Sequence, residues 1–150
     1  MSSRSAVFIA SLVVALAVAG VATAKDGGRP LATTMTGAEE APGPGDADAS
    51  GQADLRLNQG QRRICFDLSW VDIDGTVFAG HIHEAPAGDP GPIVVPLFEG
   101  SFGGTESLSD CVEVERSLIK DIRKHPSDYY VNIHSLPDFP GGAIRGQLSK

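Results

Sequence analysis

The sequence predicts an all-β protein, an antiparallel β-sandwich of seven or eight short strands with one short helix. Three observations carry that expectation. Short runs in which apolar and polar residues alternate recur along the chain, the period of a strand with one buried face. Clusters of Gly, Pro, Asn and Asp separate those runs. One stretch, residues 117–124, has the apolar spacing of a helix instead.

A chain of 150 residues fits one domain with a buried core. Residues 1–24 read as a secretory signal peptide: Arg4, an apolar run over residues 6–20, then the small-x-small site Ala22-Thr23-Ala24. The mature domain is expected over residues 29–150, secreted or periplasmic, with no further segment able to span a bilayer. The whole chain has a net charge of −7, and losing Arg4 makes it one unit more acidic. Such a surface suits neither nucleic acid nor an anionic membrane.

Taken in order, residues 31–36 have the β-branched content of a first strand. Residues 37–50, rich in Pro, Gly, Ala and acid, are expected to be an exposed connection. Residues 52–57 alternate as a second strand, and Asn58-Gln59-Gly60-Gln61 turns them into a hairpin with residues 63–70. Asp72-Ile73-Asp74-Gly75 is a turn before a strand over residues 76–83, and residues 84–92 form a Pro- and Gly-rich loop. Pro96 confines the strand over residues 93–98 to an edge or a bulge. A Gly-rich loop over residues 99–107 leads to a strand over residues 111–115. In the helix, Ser117 can cap, Leu118, Ile119 and Ile122 form the apolar face, and Pro126 ends it. Strands over residues 129–134 and 142–148 flank the last loop.

Parity assigns the cysteines. Ile64, Phe66, Leu68 and Trp70 alternate with Arg63, Cys65, Asp67 and Ser69, and Val112 and Val114 alternate with Cys111, Glu113 and Glu115. Both thiols fall on polar faces, and an oxidising compartment favours a Cys65–Cys111 disulfide between neighbouring strands.

Parity also groups the histidines. His81 and His83 share a face with Val77 and Ala79, opposite Phe78 and Ile82. Tyr130, Asn132 and His134 oppose Tyr129, Val131 and Ile133, while Ala143, Arg145 and Gln147 oppose Ile144 and Leu148. If these three strands are neighbours, His81, His83, His134, Asn132, Arg145 and Gln147 line one polar patch. Three neutral imidazoles on rigid strands suit copper, zinc or iron, with copper or zinc the expected choice. Glu84, Asn132 and Arg145 would support them, and Glu84, Asp89 or Asp138 could add a fourth ligand. The plainer alternative is a hydrogen-bonded cluster tying the sheet to its loops. Arg145 also fits a structural role, holding a loop carbonyl or Asp138. His125 suits a helix end, where positive charge is tolerated, and Trp70, Tyr129 and Tyr130 suit core and sheet positions. No nucleophile elbow, phosphate loop or pair of catalytic carboxylates is present, so no enzyme is expected.

Several motifs carry a family resemblance. Thr36-Gly37-Ala38-Glu39-Glu40 with Pro42, Ala79-Gly80-His81-Ile82-His83, Gly91-Pro92-Ile93-Val94-Val95-Pro96-Leu97, Tyr129-Tyr130-Val131-Asn132-Ile133-His134 and Pro140-Gly141-Gly142-Ala143-Ile144-Arg145-Gly146-Gln147-Leu148 resemble the CHRD domain. That module is named from chordin and occurs in many microbial secreted proteins. The resemblance implies an extracytoplasmic immunoglobulin-like or superoxide-dismutase-like β-sandwich, acting as a non-enzymatic binding or structural module for an extracellular protein or glycan. A single module without chordin's cysteine-rich domains does not inherit growth-factor binding. His81-Ile82-His83-Glu84 also resembles the copper strand of copper–zinc superoxide dismutases, with His134 and Arg145 at matching places. The loop after His83 holds no histidine, so the bridging and zinc ligands are missing. What this leaves beside the binding module is a mononuclear copper or zinc protein, redox-active or not.

Overall fold

The alternating runs become eight strands in the computed structural model, which describes residues 27–150. The expected signal peptide, residues 1–24, lies outside them. The strands are β1 (Arg29–Thr36), β2 (Ser50–Asn58), β3 (Arg63–Val71), β4 (Thr76–Glu84), β5 (Ile93–Phe102), β6 (Glu106–Glu113), β7 (Tyr129–Leu136) and β8 (Ile144–Gln147), with helix α1 (Arg116–Lys124) between β6 and β7. Every neighbouring pair is antiparallel, in the order β5-β4-β7-β8-β1-β2-β3-β6. Consecutive strands β5 and β6 thus sit at opposite ends of the order, and the short link over residues 103–105 joins the two edges. The sheet curls nearly into a barrel. Trp70 pins the seam by donating its indole N–H to Gly103 O at 2.9 Å.

The all-β antiparallel architecture with one short helix is as expected, and its eight strands form one continuous ladder. Alternation marks which face is buried but not whether a ladder is interrupted, so it could not separate a two-sheet sandwich from one curled sheet. Register shifts concentrate in β4, where it pairs with β5 and β7, and such bulges bend a strand and sharpen its twist. Some expectations shift. The Gly-rich loop over residues 99–107 shrinks to a tight link, because β5 runs on to Phe102 and β6 starts at Glu106. Ser117 lies inside α1, whose N-cap is Glu115 without a side-chain cap bond. The connection over residues 37–50 is not simply exposed: Asp46 is buried, and its Oδ2 accepts the Asp74 N–H at 2.7 Å.

Inside the curl, Leu55, Leu57, Ile64, Phe66, Leu68, Trp70, Ile82, Val131 and Ile133 form the core. The helix adds Ile119 and Ile122 to it, and Tyr129 Oη donates to Asp121 Oδ2 at 2.6 Å. No helix among the described residues is long and apolar enough to cross a membrane.

Gly80 shows why the core needs its glycine. A Cβ there would lie 2.3 Å from the Phe98 ring, which stacks on Trp70 with centroids 5.6 Å apart. On the polar face, Cys65 stands directly opposite Cys111 across β3 and β6, and the two are bridged, as parity allowed. With a sequence separation of 46, the chain-entropy model gives a stabilisation of about 4 kcal/mol.

Candidate metal centre

The outer face of β4, β7 and β8 is as buried as the inner one because loops cover it. Expected neighbours are indeed neighbours: β7 lies between β4 and β8, pairing His81 with Asn132, Ala79 with His134, and Asn132 with Arg145. His81, His83 and His134 are 8%, 7% and 6% exposed. One ligand atom from each falls within 4.8 Å of the others.

The loops fix the tautomers. His83 Nδ1 is 2.9 Å from Gly91 O, and His134 Nδ1 is 3.0 Å from Pro140 O. A carbonyl oxygen only accepts, so both rings carry their proton on Nδ1 and turn an Nε2 lone pair inward. His83 Nε2 is buried and has no partner. His134 Nε2 is 3.0 Å from His81 Nδ1, which must donate, and 3.0 Å from Asn132 Oδ1, which can only accept. Lone pairs therefore outnumber protons here. The deficit is met by protonating His134 or by placing a cation among the rings.

Protonation is disfavoured. Burial pushes His134 down to about 4, assisted by neighbouring His81. Burial also lowers His81, with His83 acting in the same direction. His83 falls through burial too, opposed by Gly91 O and the Asn132 side chain, with Arg145 adding a smaller push in the same direction as burial. At neutral pH all three rings are neutral, the form that binds a metal. Two ligand atoms 4.8 Å apart admit a common point no nearer than half that distance, 2.4 Å. In a tetrahedral set at about 2.0–2.1 Å the ligand nitrogens stand about 3.3 Å apart, so binding an ion draws the widest pair together by about 1.5 Å through side-chain rotation.

Arg145, only 1% exposed, is the clamp of the roof. Its guanidinium donates to Asp89 O at 2.9 Å, Pro86 O at 3.0 Å and Gln147 Oε1 at 3.2 Å, and it lies 3.5 Å over the Tyr130 ring. Gln147 Nε2 donates to Ala85 O at 2.8 Å, so the loop over residues 85–92 is tied to β8. Arg145 is thus the structural partner of loop carbonyls, one of the two roles expected for it.

Three acids considered as ligands or support are elsewhere. Glu84 is exposed, its register partner is the core residue Tyr129, and parity places it with Ile82, away from the histidines. Asp89 contributes a backbone oxygen to Arg145, and its side chain is exposed, as is that of Asp138. His125 caps the C-terminal end of α1, outside the centre. The face shared by Val77 and His81 is also corrected. The register slips between Val77 and Ala79, so Val77 joins the core while the Phe78 ring approaches His134, with centroids 5.8 Å apart.

Two residues were missed. Tyr130, expected to be a plain sheet residue, stacks on His83 with centroids 4.8 Å apart and planes 11° from parallel, orienting that ring. Glu40 follows β1, and its carboxyl accepts from the Ala41 N–H and the Asn132 amide. Burial drives it up to about 7, against the opposing pull of Arg145. The motif Thr36–Glu40 contained the only signal for it, since a loop has no parity to read.

The model of the CHRD domain family matches residues 31–148, most of the chain. The chain belongs to the CHRD domain family. No curated protein and no solved structure matches it, and the likeness to the dismutase copper strand gains no support. Within this CHRD domain the histidines of the family-like motifs, His81, His83 and His134, are the ones the fold brings together.

Proposed function

We propose that this CHRD domain is an extracytoplasmic, non-enzymatic module whose ligand is a single metal ion, copper or zinc, held by His81, His83 and His134. The observation that carries this reading is the shortage of protons in the cluster. Two rings are locked by loop carbonyls with Nε2 lone pairs inward, and His83 Nε2 is buried with no partner. Metal-binding histidines are oriented in this way, through the nitrogen that does not bind. A leader-like N-terminal sequence and the Cys65–Cys111 bridge support export to an oxidising space.

Protein purified without chelator and dialysed against micromolar Zn(II) or Cu(II) should retain one equivalent by elemental analysis. The His81→Ala, His83→Ala double variant should retain none while keeping its β-sheet circular dichroism. A wild-type chain that retains neither metal would return the cluster to a purely structural role. The protein or glycan partner of a CHRD-type binding module would then become the leading reading.

A further inference from the structure

Glu40 sits in a socket that the chain has shaped around it. A Cβ on Gly142 would lie 2.4 Å from its Oε1, and one on Gly45 would lie 2.8 Å from its Cγ. Gly142 also has φ +144, a conformation that side chains rarely adopt, so the wall against the carboxyl is glycine on two grounds. Inside the socket Oε1 is shut off from solvent and has no hydrogen-bond partner. Enclosing part of a carboxyl group without a full set of partners is costly, and a socket that enforces it calls for a reason.

Arg145 supplies only part of that reason: its charge favours the carboxylate, but it makes no direct ion pair with it. The ion pairs seen among the described residues join Arg62 to Glu113 and Glu115, and Arg145 directs its guanidinium to Asp89 O, Pro86 O and Gln147. The polar side chain that Glu40 does engage is Asn132, and Asn132 presents its other end, Oδ1, to His134 Nε2 at 3.0 Å. One amide therefore links the acid to the histidine cluster.

We infer that Glu40 is the counter-charge of the metal centre, a positioning residue that acts through Asn132 and favours a divalent ion over a monovalent one. This rests on the reading of His81, His83 and His134 as metal ligands. Three neutral imidazoles contribute no charge, so a divalent ion would bring two positive charges into a covered pocket where Arg145 already adds one. Such a charge needs a nearby anion. Of the three acids first considered, the side chains of Glu84, Asp89 and Asp138 are all exposed, which leaves Glu40 in place for the task. Because the attraction scales with the product of the charges, removing the carboxylate weakens a divalent ion twice as much, in free energy, as a monovalent one.

The test is a pair of competition titrations on wild type, Glu40→Gln and Glu40→Asp, with Zn(II) and with Ag(I). Both cysteines are bridged, so Ag(I) meets no free thiol. Glu40→Gln should lose about tenfold in Zn(II) affinity but only about threefold in Ag(I) affinity. Its metal-free form should melt at or above the wild-type temperature, and Glu40→Asp should recover part of the Zn(II) loss. Equal losses for the two ions, or no loss, overturn the counter-charge role while leaving the metal centre intact. A metal-free Gln variant that melts well below wild type also overturns it, since the carboxyl would then be holding the fold. A wild-type chain that takes up neither ion overturns the metal centre and this role with it.

Discussion

The two faces of β7 are buried to nearly the same degree and built from opposite chemistry. Tyr129, Val131 and Ile133 point into the barrel-like core, while Tyr130, Asn132 and His134 point outward under loops. Apart from the Tyr129 hydroxyl, which donates to Asp121, the inner face is satisfied by contact, because apolar groups need only to leave water. On the outer face each polar atom needs a partner in a defined direction, and carbonyls of Gly91 and Pro140 supply part of that requirement. The remainder is unmet by the protein: His83 Nε2 has no partner, and Asn132 Oδ1 faces His134 Nε2, whose lone pair already accepts from His81. The inner face therefore specifies the fold, and the outer face specifies a ligand.

Substitution on the inner face gives the largest effect. Ile133→Ala should destabilise the metal-free protein by about 2–5 kcal/mol in urea unfolding, through lost burial and the cavity left behind. The folded fraction should keep its metal affinity. His134→Ala, one residue away, should abolish metal retention. If instead Ile133→Ala removes metal binding and His134→Ala leaves it unchanged, the division of labour between the faces is wrong.

The outer face should also govern the response to acid. His134 has its pKa lowered to about 4, so the unfolded chain binds more protons between the ordinary imidazole value, 6.5, and 4. Its contribution to stability is present above 6.5 and lost as pH falls toward 4, by about 3 kcal/mol. His81 and His83 act in the same direction. Glu40 acts oppositely: its pKa is raised from 4.5 to about 7, so its contribution is present below 4.5 and lost as pH rises through 7. Wild type should therefore show a shallow acid profile when metal-free. Glu40→Gln should steepen the loss between pH 7 and 4.5 by about 3 kcal/mol. Parallel profiles for the two proteins would contradict the assignment.

Much of this was legible in the sequence where a period of two held. Parity put Cys65 and Cys111 on polar faces and, given neighbouring strands, His81, His83 and His134 on one face. The same parity already separated Glu84 from His83, and following it would have removed Glu84 from the site. It failed at Val77 and Phe78, where a bulge inserts a residue and reverses the faces. It was silent on Glu40 and on the carbonyls of Gly91 and Pro140, because loops follow specific turns rather than a repeat. Whether the sheet splits into two layers or curls nearly closed depends on strand order and bending, which alternation does not encode.

The central claim, that three imidazoles on the outer face share one ion, is tested most directly by X-ray absorption at the zinc edge of the zinc-loaded protein. Three imidazole nitrogens are expected at about 2.0–2.1 Å, with the multiple-scattering pattern of histidine rings. The His81→Ala, His83→Ala double variant should give a spectrum with no protein-bound zinc. A first shell of oxygen alone in wild type, or an unchanged spectrum in the double variant, would contradict it.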